Sequence, residues 1–454
     1  MIEPTQAGAG KRRVTGVDAA RGAALVGMMA IHILPGWNEN YEPTLSWSIL
    51  AGRGAALFAV LAGVSLAFMS GGSSRLSGRN LAGARYGLAV RAACITVIGL
   101  LLGYLATPAH VILVYYGVMF LLALPLLRMS ASALFLAAAC TAVVAPFLMQ
   151  ATRDSLPDMN GVEPTFSTLL AAPGDVVAQI LLTGTYPALP WMAYVCVGLA
   201  IGRLNLTAQL VQFRLLVAGV CLAAGSAILS ALLLGPFGGL ERLEEAASVW
   251  SYSPEEVVND ILVWGPDPTL PTDTLWWLAS LAPYSSTPLA LLNTIGTAMA
   301  FLGLILLLSK VGSHVLAPLA LVGKMTLTLY SLHLLLLATG VLEDQPVANL
   351  ILQLLAVLVF AYVWMRFAAQ GPLERMVAEG SKWVRNKYLA RTAEPPTGSR
   401  SPAEGTHGRA DLLPQNAPDT ALPSMDEPAA GSVPPPPDSG DPQEQTDRPT
   451  RRRS

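Results

Sequence analysis

The sequence predicts an all-α protein, a polytopic helical membrane bundle of about ten transmembrane helices with a disordered C-terminal cytoplasmic tail. Three observations predict it. Of 454 residues, 53% are hydrophobic and only 13% are charged, and the mean hydropathy is +0.51. Apolar runs long enough to cross a hydrocarbon layer recur from the first helix to about residue 369. Lys and Arg gather in alternate loops while the loops between them are acidic, which is the charge bias of an inserted bundle. A chain of this length would otherwise imply roughly three soluble domains. A formal net charge of −2 without a basic face excludes a nucleic-acid partner.

Residues 1–13 form a short cytoplasmic tail ending in Lys11, Arg12 and Arg13. The first span, 14–36, stops at Pro35-Gly36-Trp37 and is retained, because no small-residue cleavage site follows it. A second span near 50–69 ends in Ser70-Gly71-Gly72-Ser73-Ser74, and the next loop carries Arg75, Arg79, Arg85 and Arg91 without an acid. Spans near 92–107 and 111–127 form a hairpin around Thr107-Pro108-Ala109-His110, and Arg128 closes it. A fifth span covers 131–150. A polar loop with Asp154, Asp158, Glu163 and Asp175 then precedes spans at 187–202 and 212–235. Residues 241–286 read as an extracellular acidic loop, in which Trp276-Trp277 suits either an interface anchor or a folded core. Spans near 287–308, 315–339 and 347–369 complete the set, a basic amphipathic stretch runs to 391, and residues 392–454 are disordered by composition. Alternation from an inside amino terminus leaves both termini cytoplasmic and every acidic loop outside. The four cysteines lie in apolar runs without metal or CxxC spacing and read as buried reduced thiols, and no metal site is expected.

The candidate chemistry is histidine chemistry. Ionisable groups at membrane depth are costly and mark functional sites. With Asp18 and Arg21 at the cytoplasmic boundary, helix rise puts His32 about 20 Å away, near the outer end of the first span. Parity places His110 and His333 in the same outer half, whereas His314 and His407 fall on the cytoplasmic side. On the ninth span Gly323, Thr326, Tyr330 and His333 repeat at helical spacing, a polar stripe that must face protein or water. Asn293, with Gly296 and Thr297, makes a second such stripe on the eighth span, and interhelical hydrogen bonding explains either stripe equally well. Asp18 and Arg21, three apart, pair on one helical face. Gly99-x-x-x-Gly103 and Gly198-x-x-x-Gly202 read as close-packing motifs. No phosphate loop, HExxH or GxSxG is present in the sequence.

Val14-Thr15-Gly16-Val17-Asp18-Ala19-Ala20-Arg21-Gly22-Ala23-Ala24-Leu25 resembles the first-span signature of the heparan-α-glucosaminide N-acetyltransferase family. Phe58 to Leu66 is similar to that family's second span, and Tyr186-Pro187-Ala188-Leu189-Pro190-Trp191 to its entry into a later one. The carboxy-terminal third, from Pro318 through Tyr330 and again at Gly371-Pro372-Leu373-Glu374, resembles YeiB-like bacterial membrane proteins. The domains then read as 14–240 resembling the acetyltransferase catalytic region and 287–391 resembling the YeiB-like region with its basic juxtamembrane stretch. The resemblance implies a plasma-membrane acyltransferase that takes acetyl-CoA from the cytoplasm and delivers the acyl group through a histidine to an envelope sugar or similar acceptor outside. The family's catalytic histidine precedes a Trp in the loop after the first span. This chain reads Pro43-Thr44-Leu45-Ser46-Trp47 there, and His32 is the nearest substitute.

The expected assignments follow. His32, His333 and Tyr330 are catalytic, with Tyr330 or Thr326 stabilising the oxyanion. Asp18, Arg21, Arg53, His110, Tyr186, Trp191, Thr326 and Asn293 bind donor or acceptor. The partners are the lipid bilayer, acyl-CoA and the acceptor, and the oligomeric state is left open. The alternatives are a transporter for an envelope precursor, whose polar stripes line a pathway, and a non-catalytic membrane scaffold.

Overall fold

A computed structural model describes residues 15–392 apart from 158, 160, 268 and 313. The expected tails, Asp158 and His407 lie outside the described residues. Among those described, every regular element is helical, as the hydropathy pattern predicts. Among the described residues seven helices are long and apolar enough to cross a membrane, or eight if a pair bent by 51° counts as one span. Two further helices of the expected ten are shorter apolar segments, which is where the structure departs from the ten-span reading.

Helix α1 (Thr15–Ile33) is central and buries Ala19, Ala20, Ala24, Leu25, Met28 and Met29. Gly16 packs on Leu306 and Ser309, at the end of α13 (Pro288–Val311). The chain then turns through a bridge between Trp37 and Pro43 into a short α2 (Leu45–Leu50), capped by Thr44, whose Oγ1 accepts from Trp47 N at 3.3 Å. Gly52, at φ +72°, makes the break into α3 (Arg53–Met69) with a backbone conformation that a side chain would strain.

Helix α4 (Gly78–Leu102) starts well before the span expected from about 92. Hydropathy falls where Arg79, Arg85 and Arg91 begin, but arginine is a good helix former and the helix runs on through it. α5 (Leu113–Ala123) returns beside it, and Arg85 Nε donates to Leu124 O at 3.1 Å. α6 (Ala131–Thr152) follows, then the small helices α7 (Phe166–Ala171) and α8 (Pro173–Ala178) and a π-helical turn at Gln179–Thr183. The chain bends there into α9 (Ala188–Gly202), the most deeply buried helix. Both small-residue motifs are used for contact. Gly198 lies against Val60 O of α3, and Gly99 against the backbone of Val114.

Helix α10 (Gln209–Leu234) packs along α13 through Gly219, Gly296 and Gly303. Between them the acidic loop folds into a lobe of its own, with α11 (Gly239–Ala247) and α12 (Pro254–Trp264). Its core is Leu243, Ala247, Val258, Leu270 and a fully buried Trp277, whose Nε1 donates to Asp273 at 2.8 Å. Trp277 is therefore lobe core rather than an interface anchor. The cysteines correct the expectation of uniform burial. Cys196 is buried and Cys94 half-buried, but Cys140 and Cys221 face outward on α6 and α10, and all four are free thiols.

The expected ninth span is two helices, α14 (Ala317–Val322) and α15 (Thr326–Leu337), separated by Gly323, Lys324 and Met325. Gly323 therefore does not share a helix with Thr326, Tyr330 and His333. The break has a physical partner, because Glu374 caps the start of α15, accepting from Leu327 N at 2.7 Å and Thr328 N at 3.2 Å. α16 (Pro346–Trp364) is followed by α17 (Pro372–Arg391), the expected basic stretch, which lies along the first half of α4. Ser381 Oγ donates to Gly87 O at 2.7 Å, and Arg79 Nη2 to Leu389 O at 3.2 Å. α1 and α14 meet without side chains between them. A Cβ on Gly22 would strike the Leu319 carbonyl, and one on Gly323 the Asp18 carbonyl.

The bundle thus has a basic end, with Arg75, Arg85, Arg128 and Arg203, and an acidic end, with Glu163 and the lobe. At the basic end Arg203, only 7% exposed, ties α3 and α9 to the turn after α5. Its Nη1 donates to Ala67 O, Ser70 O and Gly72 O at 3.3, 3.4 and 2.9 Å. Its Nη2 donates to Ser70 Oγ at 3.0 Å and Leu127 O at 2.7 Å.

Candidate active site

Two histidines far apart in sequence meet inside the bundle. His32 Nδ1 on α1 lies 3.1 Å from His333 Nε2 on α15, with the two rings nearly coplanar at 6°. His333 is fully buried, and its Nδ1 lies 2.7 Å from Gln353 Oε1 on α16. Gln353 Nε2 in turn donates to Asn349 Oδ1 at 2.8 Å. His32 is half-buried, and no described residue bonds its Nε2, which is not among the enclosed polar atoms left without a partner. That nitrogen is not fully enclosed, although His32 lines neither of the cavities described below.

Tyr330 sits one turn before His333, and its hydroxyl bridges to the loop between α4 and α5. It donates to His110 O at 3.4 Å and accepts from Ile112 N at 3.5 Å. On the same loop the His110 side chain is 2.6 Å from Glu163, which also accepts from Val111 N at 3.1 Å. His110 is within electrostatic reach of His32, so the three histidines expected in one half of the bundle do cluster there.

The hydrogen bond to Glu163, outweighing desolvation, raises the pKa of His110 above its ordinary 6.5. A histidine raised on folding contributes stability that is complete below the unfolded value and is lost as pH rises through the folded one. The thermal midpoint is therefore expected to fall as pH climbs from about 6.5 upward, and Glu163→Gln is expected to flatten that dependence. A scan of midpoint against pH on both proteins checks it, and identical slopes would remove His110 from this role.

Two cavities lie in the bundle, and only the inner one touches the cluster, through Tyr330. The inner one, of 340 Å³, opens at the basic end between Arg21, Arg91, Lys324 and Glu374. Phe58, Leu66 and Phe120 wall it, and it closes against Ile112, Tyr116 and Tyr330. Thr326 also lines it. Arg21 Nη1 is held by Asp18 at 3.0 Å, and Nη2 by Ser65. Asp18 is buried and positions Arg21 without lining the cavity. The Lys324 side chain makes no hydrogen bond or ion pair among the described residues.

The outer cavity, of 240 Å³, lies beneath the acidic lobe and is lined by Trp47, Arg53, Trp191, Tyr194, Tyr284 and Asn293. Several of these also hold the scaffold. Arg53 Nη1 donates to Ser48 O at 2.6 Å, Trp191 Nε1 to Ser286 Oγ at 3.2 Å, and Asn293 Nδ2 to Ala223 O at 2.9 Å. Trp47 Nε1 donates to Val263 O at 3.0 Å, tying the loop after α1 to the lobe.

Buried phenols separate the two cavities. Tyr116 lines the inner one and Tyr194 the outer one, and Tyr116 is within electrostatic reach of both Tyr194 and Tyr330. Tyr186 lines neither. It packs edge-on against Trp191 and Tyr115, with ring centroids 5.1 and 5.6 Å away.

Residues 13–229 match the family model described as heparan-alpha-glucosaminide N-acetyltransferase, catalytic. The match covers just under half of the chain, and this segment is similar to that family's catalytic region. No curated protein matches the chain. The matched segment runs from α1 into α10 and contributes Asp18, Arg21, His32, Arg53, His110, Tyr186 and Trp191. His333, Tyr330, Thr326 and Asn293 come from the helices beyond it. The match suggests a membrane acetyltransferase-type function.

Among described residues the sequence reading had missed Gln353, Asn349, Glu163 as a partner of His110, Lys324 and Glu374. Asn349 and Gln353 did leave a signal, two amides four apart on an otherwise leucine-rich span. Glu163 left none, since it is one acid among several in a polar loop.

Proposed function

We propose that the chain transfers an acyl group, most simply acetyl, from acyl-CoA bound at the basic end to an amine or hydroxyl acceptor at the acidic end, with His32 as the base. The observation that carries this reading is the open Nε2 of His32, backed by His333 and Gln353 and lying one helical turn past the closed end of the inner cavity. The residues present suit the donor. Arg91 and Lys324, beside Arg21 paired with Asp18 and with Glu374 already engaged in capping, suit its phosphates, and the apolar walls suit its pantetheine arm. Acyl-CoA supplies a thioester whose C–S bond breaks as the acceptor's C–N or C–O bond forms, the thiolate leaving with the displaced proton. His32 Nε2 takes that proton from the acceptor, and the Tyr330 hydroxyl is the donor nearest to stabilise a developing oxyanion. Trp47, Trp191 and Tyr194 offer apolar faces, and Arg53 and Asn293 polar edges, to a sugar-like acceptor. On this reading the chain is a multi-pass plasma-membrane protein with its basic end and both termini in the cytoplasm. A transporter would need a continuous path, and the phenol layer between the cavities weighs against it.

Sealed proteoliposomes test the proposal. A cysteine at Ser74 reports orientation through an impermeant thiol reagent, after the outward-facing Cys140 and Cys221 are replaced. With Ser74 outside, external acetyl-CoA is expected to release CoA when glucosamine is supplied as acceptor probe. With Ser74 inside, external donor is expected to be inert. Release from the second orientation alone, or from neither, overturns the proposal.

A further inference from the structure

We infer that Gln353 and Asn349, two neutral amides one turn apart on α16, fix the tautomers of both buried histidines and so turn the lone pair of His32 Nε2 outward. The inference rests on the acyl-transfer reading for its purpose but not for its geometry. Gln353 donates through Nε2 to Asn349 Oδ1, so its Oε1 is the atom presented to His333 Nδ1 at 2.7 Å. An amide oxygen only accepts, and His333 Nδ1 therefore bears the proton. In a neutral imidazole Nε2 is then an acceptor, and the atom facing it 3.1 Å away, His32 Nδ1, must donate. Both histidines are Nδ1–H forms, and the one nitrogen left with a free lone pair is His32 Nε2. The opposite amide orientation would invert each bond and leave His32 Nε2 a donor, unable to take a proton.

The choice of an amide over a carboxylate follows from the surroundings. His333 is fully buried, and Gln353 and Asn349 are 3% and 7% exposed on the one buried stripe of α16, which otherwise carries only Val357 and Ala361. A carboxylate there would place a charge at membrane depth, whereas an amide orients the ring without one. Gln353 and Asn349 are thus positioning residues, acting on the acceptor's proton only through the two rings.

The tautomers can be read directly. Full-length protein labelled with ¹⁵N-histidine in lipid nanodiscs gives distinct nitrogen shifts for Nδ1–H and Nε2–H rings, and single His32→Gln and His333→Gln variants assign them. Both rings are expected in the Nδ1–H form. In Gln353→Leu, His333 is expected to populate both tautomers, and Gln353→Glu is expected to restore the single Nδ1–H form. Turnover with acetyl-CoA and glucosamine should fall roughly tenfold to hundredfold in Gln353→Leu at unchanged KM for acetyl-CoA, and recover in Gln353→Glu. An Nε2–H ring at His333 in the wild type overturns the inference, as does a tautomer that Gln353→Leu leaves unchanged. Because the tautomers are read without turnover, two Nδ1–H rings in a protein that transfers nothing would support the relay and overturn only the acyl-transfer reading.

Discussion

Replacing His32 by glutamine is expected to lower acetyl transfer by about two to four orders of magnitude while leaving the fold intact. The glutamine amide can still donate toward His333 Nε2, so the buried polar contact survives the change. What it cannot do is take a proton from an attacking amine or hydroxyl. His32→Ala should show the same loss of turnover together with a lower thermal midpoint, because His333 Nε2 then loses its partner in a buried place. His333→Gln is the informative companion. Normal turnover in His32→Gln beside a folded but inactive His333→Gln would move the proton acceptor to α15. If neither variant loses activity, histidine-dependent transfer is the wrong chemistry and the transporter reading takes its place.

The second large effect is on stability. Arg203→Met is expected to cost several kcal/mol, since each buried acceptor left unpaired costs about 1–3 kcal/mol. The guanidinium serves Ala67, Ser70, Gly72 and Leu127 together, and methionine fills the volume without donating to any of them. Arg203→Lys should fall between the two, because one ammonium cannot reproduce a planar fork that spreads across these carbonyls. Thermal unfolding of the purified variants in one detergent checks the order. A methionine variant as stable as the wild type would show that water at the basic end replaces the arginine.

The bundle itself was legible because hydropathy and loop charge are local and redundant signals. The boundaries that moved did so where helix propensity and hydropathy part company. α4 continues through its arginines because α17 and the turn after α5 receive their side chains, and no window of hydropathy reports that. The break between α14 and α15 was hidden by the opposite fault. Val322 and Met325 keep the run apolar across Gly323 and Lys324, while the Glu374 cap that stabilises the new helix start lies about fifty residues on. The shared location of His32, His110 and His333 followed from span parity, but the pairing of His32 with His333 did not. Helical spacing orients side chains within one span and is silent about which span lies opposite. The same limit hid the division of the other site residues between two cavities, with Arg21 and Thr326 in one and Arg53, Trp191 and Asn293 in the other.

The seam between α1 and α14 has a mechanical consequence. Where Gly22 meets Leu319 and Gly323 meets Asp18, backbone rests on backbone, and no rotamer change can absorb a sliding motion. That side of the inner cavity therefore resists sliding of α1 against α14. The opposite wall is fastened in both ways, since Ser381 and Arg79 tie α17 to α4 by side-chain bonds while a Cβ on Gly87 would also come within 3.0 Å of the Ser381 carbonyl.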